Sequence, residues 1–426
     1  MQEKTMNVAG RRLYRGKPMV RMHAMIKPIG PVCNLECDYC YYLSKQNLLS
    51  TNQGWRIDDA FLETFIAEYI QSQNSSHVVF SWQGGECTML GLDFFRRVVE
   101  LQKKHAKEGV KVENDLQTNG TLITNEWCRF LKQENFLVGL SIDGPGHIHD
   151  AHRKDNRGRG SFKKVLETAR RLRSHNVRFA TLTVVNELNS KKPLETYRFL
   201  RDVIKSPQMQ FIPIVEPRGF EETAPQQWSD EILLKKNDPR CNPVHENSIV
   251  EPWCVEAEDY GDFLIAIFDE WYAKDFGKVF VPFFDSAVEQ WMGRPSPLCI
   301  YGPICGKGLA MEHDGRVYSC DHYVYPEYEL GRVGDIPLKD MAFSLRQQDF
   351  GYAKDSSLPL DCRACSYLFA CSGECPKNRF LLSDSDQPGL NYLCTGLYKY
   401  FDHINLYIQE IIKNMGHKVC AEAPRP

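Results

Sequence analysis

Six short apolar runs alternate with amphipathic segments between residues 23 and 215, and this alternation constrains the fold more than any other feature of the sequence. The runs have the length of buried strands, whereas the segments between them place apolar residues at helical spacing. The predicted strands are residues 23–29, 77–82, 111–120, 137–144, 179–185 and 209–215, and the predicted helices are residues 58–71, 92–108, 125–133, 161–175 and 194–204.

Strands that alternate with helices pair in parallel through right-handed crossovers. The sequence therefore predicts an α/β fold built on a partial (β/α)6 barrel of the TIM type. A complete eight-stranded barrel would need two more strand and helix units, which the sequence does not offer. An open doubly wound sheet is the structural alternative, and periodicity alone does not exclude it.

The predicted boundaries divide the chain into five segments. They are an N-terminal extension (1–20), the barrel (21–255), a helical linker (256–298), a cysteine-rich domain (299–396), and a C-terminal helix and tail (397–426). A polar stretch at residues 216–253 is long for a loop in a compact domain. We expect this stretch either to shape a binding groove or to be an insertion.

Charge and composition exclude several classes of protein. A formal net charge of -3 gives no electrostatic reason to expect nucleic acid or an anionic membrane as partner. No apolar run approaches the roughly 20 residues that a membrane helix needs. The first residues lack the apolar core and cleavage site of a secretory signal. We therefore expect a cytoplasmic protein.

Sixteen cysteines are many for a reducing compartment, where disulfides are rare. Metal or redox chemistry is the leading explanation. Eleven of the cysteines form three groups along the chain, which are Cys33, Cys37 and Cys40; Cys299, Cys305 and Cys320; and Cys362, Cys365, Cys371, Cys375 and Cys394. These eleven are enough for one open site with three thiolates and two closed sites with four each.

The first group has C-x3-C-x2-C spacing in a loop that follows the first predicted strand. A zinc site with three thiolates would usually recruit a fourth protein ligand, such as a histidine, and none lies within this loop. An iron-sulfur cluster held by three cysteines instead leaves one iron open to a small molecule. Loops after parallel strands gather at one end of a barrel. The motifs at 83–86, 117–120 and 141–145 are therefore expected beside these cysteines.

The cysteine loop on such a barrel resembles the signature of the radical S-adenosylmethionine (SAM) superfamily. The resemblance implies that Cys33, Cys37 and Cys40 hold a 4Fe-4S cluster whose fourth iron binds SAM. It further implies that the "GGE" motif (Gly84, Gly85 and Glu86) contacts the ammonium group of SAM and that Arg153 contacts its carboxylate. Tyr39 and Val215 would contact the adenine, and Ser141 the ribose or methionine part. Packing roles remain open for Tyr39 and Val215, and a surface ion pair for Arg153.

The C-terminal cysteines resemble those of the SPASM domain, which carries auxiliary iron-sulfur clusters in radical SAM enzymes that act on peptides. By this resemblance the first auxiliary 4Fe-4S cluster is held by Cys299, Cys305, Cys320 and Cys375, and the second by Cys362, Cys365, Cys371 and Cys394. Spacing alone does not assign this interleaving. Two structural zinc ribbons are the alternative, because C-x2-C pairs are common to both kinds of site.

Within the SPASM group the sequence is similar to the anaerobic sulfatase-maturating enzymes, as in "MIKPIGPVCNLECDYCYY", "SWQGGE", "SIDGP" and "GRVYSCDHYVYPEYELG". This resemblance implies oxidation of a sulfatase Cys or Ser to Cα-formylglycine through a 5'-deoxyadenosyl radical. It places the catalytic base at Asp321, directly after Cys320. We expect Tyr42 and Gln83 near the substrate backbone, with packing roles as an equal alternative.

The expected partners follow from the same resemblance. One is an unfolded sulfatase polypeptide with a C/S-x-P-x-R motif, and the other is an electron donor such as flavodoxin or ferredoxin. The chain is expected to act as a monomer. One rival function is another SPASM enzyme that crosslinks a ribosomal peptide through a thioether or carbon-carbon bond. The other is a noncatalytic iron-sulfur carrier or zinc scaffold.

Overall fold

The computed structural model describes residues 22–49 and 54–422, together with two short strands, β1 (Leu13–Tyr14) and β2 (Lys17–Pro18). Side chains are described from residue 22 to residue 413 within these ranges. The rest of the predicted N-terminal extension and the last four residues of the predicted tail lie outside the described residues.

A nine-stranded sheet forms the frame of the protein. Its strands are β3 (His23–Lys27), β4 (His77–Trp82), β5 (Lys111–Thr118), β6 (Leu137–Ser141), β7 (Arg178–Val185), β8 (Met209–Pro213), β9 (Gly308–Glu312), β10 (Arg316–Tyr318) and β11 (Glu329–Arg332). Their order in the sheet is β11-β10-β9-β3-β4-β5-β6-β7-β8. A separate two-stranded sheet contains β12 (Leu381–Leu382) and β13 (Pro388–Leu390).

The strands from β3 to β8 are parallel and lie side by side in the order in which they occur in the chain. A doubly wound sheet would instead reverse its strand order at a switch point. The prediction of six sequential strands and helices is therefore confirmed, and the open doubly wound alternative is wrong. Each observed strand lies within or one residue beyond its predicted run.

Three strands from the cysteine-rich region extend the same sheet, which the sequence did not reveal. Strand β9 pairs in parallel with β3, so that His23 lies opposite Gly308 and Lys27 opposite Glu312. Strands β10 and β11 continue the sheet in antiparallel pairs. The barrel and the cysteine-rich region therefore share one hydrogen-bonded frame, which fixes the second against the first.

The helices cover the sheet and build the C-terminal region. They are α1 (Lys45–Leu48), α2 (Asp59–Ser72), α3 (Leu92–His105), α4 (Asn125–Gln133), α5 (Gly146–His152), α6 (Phe162–Ser174), α7 (Pro193–Arg198), α8 (Ala257–Lys274), α9 (Pro282–Trp291), α10 (Leu338–Ala342), α11 (Leu345–Ser356), α12 (Leu360–Ala364), α13 (Leu368–Cys371) and α14 (Cys394–Glu422). A π-helical turn at Phe199–Ile204 continues α7. No helix in the described part of the chain is long and apolar enough to cross a lipid bilayer.

Helices α8 and α14 cross at two glycines that allow their backbones to touch. A Cβ atom on Gly396 would lie 1.8 Å from the carbonyl oxygen of Ala257, and one on Gly261 would lie 2.5 Å from that of Gly396. No side chain could occupy either position without moving a helix backbone. The close crossing fastens the last helix, which begins at Cys394, to the predicted linker.

The polar stretch at residues 216–253 connects the barrel to the C-terminal region. The Tyr392 hydroxyl donates to the Cys241 carbonyl at 2.8 Å, and Tyr328 donates to the Pro225 carbonyl at 2.9 Å. The backbone N–H of Leu382 bonds to Leu234, also at 2.8 Å. On the barrel side, the Trp253 ring lies 6.5 Å from the ring of Tyr39. The stretch thus contacts both parts of the molecule, whereas its predicted role in a groove stays a prediction.

One half-buried carboxyl gives the fold a pH dependence that can be measured. Burial raises the pKa of Asp115 on β5 to about 6, although the Ser81 hydroxyl donates to it at 2.6 Å. The folded protein therefore binds this proton more tightly than the unfolded chain does. The corresponding stability is present below the ordinary pKa near 4 and is lost as the pH rises through about 6.

Asp115→Asn removes the buried charge while retaining a group that the Ser81 hydroxyl can bond. We expect the variant to be more stable than the parent by on the order of 1 to 2 kcal/mol at pH 7.5, with a smaller difference at pH 5. Anaerobic urea unfolding at both pH values measures this difference. The control is Asp340→Asn at an exposed carboxyl. Equal midpoints for parent and Asp115→Asn at pH 7.5 would contradict the expectation.

Candidate active site

The loop that carries Cys33, Cys37 and Cys40 is seated on the segment after β4. The backbone N–H of Gly85 bonds to the Gly30 carbonyl at 2.8 Å, and that of Glu86 bonds to the Val32 carbonyl at 2.9 Å. A Cβ atom on Gly85 would lie only 1.9 Å from the Val32 carbonyl oxygen. Glycine is therefore required at position 85 if the cysteine loop is to approach this closely.

The structure brings the three thiols of this loop together. Burial and the Glu86 carboxylate raise the pKa of Cys33 to about 12, and the nearby Cys40 adds to this effect. Burial also raises the pKa of Cys37, which Cys40 and Cys33 raise further. Thiols that oppose one another's ionisation in this way suit a cationic iron cluster, because coordinated metal stabilises thiolates. The residues present therefore fit the predicted cluster.

The Glu86 carboxylate ties two loops together at the floor of the site. It is buried and accepts hydrogen bonds from the Thr118 hydroxyl at 2.7 Å and from the backbone N–H of Asn119, also at 2.7 Å. Thr88 donates to it through both its hydroxyl and its backbone N–H. Much of its accepting capacity is thus used within the protein, and a contact between "GGE" and the SAM ammonium group stays a prediction.

Arg153 and Tyr39 meet at Asp143, a buried carboxylate that the sequence analysis did not single out. Arg153 donates to Asp143 through Nε at 2.9 Å and through Nη2 at 3.2 Å, and the Tyr39 hydroxyl bonds to the same carboxylate. Burial alone would raise the pKa of Asp143, but the Arg153 guanidinium outweighs it and holds the pKa below its usual range. Arg153 is thus buried rather than on the surface. Its remaining nitrogen could still meet a ligand carboxylate.

Ser141 is the last residue of β6, as predicted, whereas Val215 lies two residues beyond the end of β8; both are buried. The Val215 carbonyl accepts a hydrogen bond from the Lys377 ammonium, which also forms an ion pair with Glu216 at 2.6 Å. Lys377 belongs to the cysteine-rich region. The end of the last barrel strand is therefore bonded to that region, and adenine contacts from either predicted residue stay predictions.

The eight C-terminal cysteines separate into two groups in space. Burial raises the pKa of Cys320 well above its usual range, and three neighbouring cysteines raise it further. These are Cys375, Cys299 and Cys305. Burial and Cys362 raise the pKa of Cys394 to about 12, and Cys365 adds to the effect. Burial and Cys394 likewise raise the pKa of Cys371. These groups have the interleaved membership that the SPASM resemblance implies.

Buried polar side chains support these two groups of thiols. The Lys354 ammonium donates to the Cys299 carbonyl at 2.9 Å. The Glu374 carboxylate lies between the groups, where it raises the pKa of both Cys371 and Cys375, and it accepts from Asn391 at 2.7 Å. Among the described residues, no three His, Cys, Asp or Glu side chains are close enough to hold a single metal ion. Ligation of the clusters stays a prediction.

Asp321 is buried between the barrel and the cysteine-rich region, where two barrel residues hold it. Its Oδ1 atom lies 2.5 Å from Lys27 Nζ, and its Oδ2 atom accepts from the Tyr41 hydroxyl at 2.5 Å. Burial alone would raise the pKa of Asp321, but the Lys27 ammonium and the neighbouring His322 help to lower it below its usual range. The carboxylate is therefore ionised and held at a fixed orientation.

Tyr42 completes the polar contacts around Lys27. Its hydroxyl donates to the Glu312 carboxylate at 2.6 Å, and Lys27 Nζ lies 4.0 Å from the centre of its ring. The Tyr42 side chain thus has a packing and positioning role in the absence of substrate. Gln83 is partly exposed, and its backbone N–H bonds to the Ile26 carbonyl at 2.9 Å. Substrate contacts from either residue stay predictions.

Lys45 is a further buried amine near Asp321 that the sequence analysis missed. Burial lowers the pKa of Lys45 to about 7, and its Nζ atom lies 3.3 Å from the centre of the Tyr325 ring. This Nζ finds no hydrogen-bond partner among the residues that the structure describes. Lysine side chains in loops are ordinarily solvated, so the sequence around Lys45 gave no sign that this side chain is buried. Lys27 gave a weak signal, since it lies within the predicted strand at 23–29, just before the cysteine loop.

Known proteins resemble this chain in sequence and structure. Residues 28–200 match the radical SAM superfamily, and residues 303–366 match an iron-sulfur cluster-binding domain known as SPASM. A serine-type anaerobic sulfatase-maturating enzyme of Bacteroides thetaiotaomicron is 43% identical over 92% of each chain. A cysteine-type enzyme of Clostridium perfringens is 31% identical over 90% of this chain and 96% of its own.

Solved structures of anSMEcpe extend the similarity to three dimensions. With bound AdoMet, that protein matches with a TM-score of 0.78 at 30% identity, over 92% of this chain and all of its own. The same protein with bound AdoMet and the Cp18Cys peptide matches with a TM-score of 0.77 at 29% identity, over 92% of this chain and 99% of its own.

Gly85→Ala tests whether the close approach of the two loops forms the first cluster site. The added methyl group would collide with the Val32 carbonyl, so we expect the cysteine loop to be displaced. Iron per reconstituted chain should fall from about 12 to about 8 atoms, the content of three and two 4Fe-4S clusters. Gly308→Ala is the control, because a Cβ there would make ordinary van der Waals contact.

Iron and circular dichroism should be measured on the same samples, so that loss of one cluster is distinguished from loss of fold. A folded Gly85→Ala protein with the full iron content would contradict the expectation.

Proposed function

Because the chain belongs to the anaerobic sulfatase-maturating enzymes of the radical SAM superfamily, we propose that it oxidises a serine in an unfolded sulfatase segment, with Asp321 as the proton acceptor. Members of this family convert an active-site Cys or Ser of a sulfatase to Cα-formylglycine. The preference for serine is supported by 43% identity to a serine-type relative against 31% to a cysteine-type relative.

The rival functions lose their support because the similarity covers about nine-tenths of the chain rather than the cysteine motifs alone. A peptide-crosslinking enzyme or a noncatalytic carrier would not be expected to match sulfatase-maturating enzymes over about nine-tenths of its length.

The observation that carries the proposal is the buried Asp321 carboxylate beside Cys320. Its contacts with Lys27 and Tyr41 leave each of its oxygen atoms one further lone pair for a substrate hydroxyl. Lys27 compensates its charge, and burial raises the pKa of Tyr41 well above the usual range, so Tyr41 remains a hydrogen-bond donor. Asp321 is thus held in the form that accepts a proton.

The proposed oxidation balances as follows. Bound SAM and the iron-sulfur clusters supply hydrogen-atom abstraction at the substrate Cβ and take up one electron. Asp321 receives the hydroxyl proton of serine. The CH2OH group thus loses a hydrogen atom from its carbon, a proton from its oxygen and one electron, which converts it to an aldehyde. For cysteine the same losses give a thioaldehyde, which water hydrolyses.

Residues at the first cluster site would hold SAM. The proposed ligands are Cys33, Cys37 and Cys40 for the cluster, with Gly84, Gly85, Glu86, Tyr39, Ser141, Arg153 and Val215 around SAM. The bidentate pair between Arg153 and Asp143 supports this assignment, because it fixes a buried cation near the cysteine loop. Lys45 Nζ, which has no hydrogen-bond partner among the described residues, is proposed to bond a carbonyl of the substrate backbone.

The cellular setting follows from the chemistry. Eleven thiols that must remain reduced suit the cytoplasm. The proposed electron donor is a one-electron carrier such as flavodoxin or ferredoxin. Action as a monomer stays a prediction.

Two peptides that differ in one residue test the proposed function directly. The reconstituted, reduced protein is incubated without oxygen with SAM and a peptide of about 20 residues that contains S-x-P-x-R or C-x-P-x-R. Conversion to the aldehyde lowers the peptide mass by about 2 Da for serine and about 18 Da for cysteine, alongside formation of 5'-deoxyadenosine. We expect both conversions, with the higher kcat/KM for serine.

Formation of 5'-deoxyadenosine with both peptides unchanged would overturn the proposed substrate while leaving SAM cleavage intact. A higher kcat/KM for cysteine would overturn only the serine preference.

Lys27→Met tests the ion pair that holds Asp321. Loss of one partner of a buried ion pair leaves an uncompensated charge, at a cost on the order of 3 to 5 kcal/mol. Since a positioned base contributes roughly 100-fold or more, we expect aldehyde formation to fall by about 100-fold while 5'-deoxyadenosine continues to form. The measured quantity is the ratio of 5'-deoxyadenosine to aldehyde.

Lys339→Met at an exposed lysine is the control for this experiment and should keep the parent ratio. An unchanged ratio in Lys27→Met would show that Asp321 does not depend on this lysine.

A further inference from the structure

An open cavity of about 470 Å³ lies on the barrel beside the first cluster site. Cys33 forms part of its wall, and Arg157, Arg159 and Lys164 stand among the residues around it. The lining residues belong to the cysteine loop, to the segments that follow β4 and β5, and to the approach and start of α6. The surface of the protein therefore reaches Cys33, a proposed ligand of the first cluster, at this cavity.

The cavity is separate from the proposed substrate and SAM contacts. Its lining within the described chain includes neither Asp321 and Lys27 nor the "GGE" motif and Arg153. The substrate site lies between the barrel and the cysteine-rich region, whereas every residue that lines this cavity lies between 33 and 164 in the chain. The oxidation proposed above therefore leaves the cavity without a role.

The cavity is positive on a protein whose formal net charge is -3. Three cationic side chains line it against one carboxylate, that of Asp155. Asp155 is already bonded to Arg159, with 2.7 Å between the Arg159 Nη2 atom and the carboxylate. Arg157 and Lys164 are exposed. The local field therefore favours an acidic partner over the rest of this slightly acidic surface.

An apolar side chain lies in the same wall. Met89 is 40% exposed, and it follows the segment on which the cysteine loop is seated. An apolar centre with a charged rim is the general plan of a protein interface, and complexes of redox proteins are at the small end of the size range. Cationic side chains beside an exposed apolar side chain suit the surface of a protein partner better than a small anion, because a small anion would gain nothing from contact with Met89.

We propose that this cavity and its basic rim are the docking surface for an acidic one-electron carrier protein, which reduces the cluster at Cys33. This inference rests on the proposed function, because it requires a redox-active cluster at that loop. The step transfers a single electron from the reduced carrier to the oxidised cluster, and no covalent bond or proton is exchanged. A reduced flavodoxin provides the probe, and a ferredoxin provides a second carrier of the same charge.

Charge reversal at the rim tests this assignment. The variant Arg157→Glu/Lys164→Glu is compared with Lys132→Glu/Lys339→Glu, which makes the same change of net charge at two exposed lysines that do not line the cavity. Stopped-flow absorbance measures the second-order rate of cluster reduction by flavodoxin hydroquinone. Calorimetry measures the dissociation constant for oxidised flavodoxin. Aldehyde yield with excess dithionite measures catalysis that bypasses the carrier.

We expect the rim variant to lose at least about tenfold in both rate and affinity at low ionic strength, with a smaller loss in 0.5 M salt because salt screens exposed charges. The control should lie within about twofold of the parent protein. All three proteins should give equal aldehyde yields with dithionite.

Equal flavodoxin rates and affinities in rim variant and parent would overturn the docking surface. The docking surface would also be overturned if only the rim variant failed to form aldehyde with dithionite. Dithionite bypasses the carrier, so that result would mean that the rim residues are needed to assemble the cluster. Absence of aldehyde in the parent with dithionite would instead overturn the proposed function.

Discussion

The buried ion pair between Lys27 and Asp321 is the contact on which the rest of the site depends. Lys27 ends the first strand of the barrel and is 1% exposed, so its charge needs a partner. Asp321 comes from the cysteine-rich region, and the parallel pairing of β3 with β9 brings that region alongside the barrel. Two residues distant in sequence thereby place an ionised carboxylate beside Cys320, at the boundary between the proposed SAM site and the first C-terminal group of thiols.

The site has two sides, and each is proposed to serve a different partner. Asp321 and Lys45 lie on the side toward the cysteine-rich region, where the family's peptide substrate is proposed to bind. Cys33 reaches the surface on the other side, in a basic cavity formed by the barrel alone. On this proposal an electron would enter beside the first cluster, while the substrate would be held next to Asp321. The carrier and the peptide therefore need not compete for one opening.

The strands and helices of the barrel could be predicted because each carries its own local pattern of apolar residues, as in 77–82 and 161–175. The membership of the thiol groups came from the family resemblance. Contacts between distant segments could not be predicted from local pattern. Lys27 lay unremarked within the predicted strand at 23–29, Asp143 lay within a turn motif, and β9 was not recognised as a neighbour of β3. Their burial depends on partners that only the folded chain supplies.

Transfer of deuterium from a serine peptide labelled with two deuterium atoms at Cβ tests the role of Asp321 most directly. The parent protein and Asp321→Asn are each incubated with this peptide, and mass spectrometry measures deuterium in 5'-deoxyadenosine together with aldehyde in the peptide. The account predicts deuterium in 5'-deoxyadenosine with both proteins but a loss of aldehyde of about 100-fold or more in Asp321→Asn. Aldehyde formation by Asp321→Asn at the parent rate would contradict it.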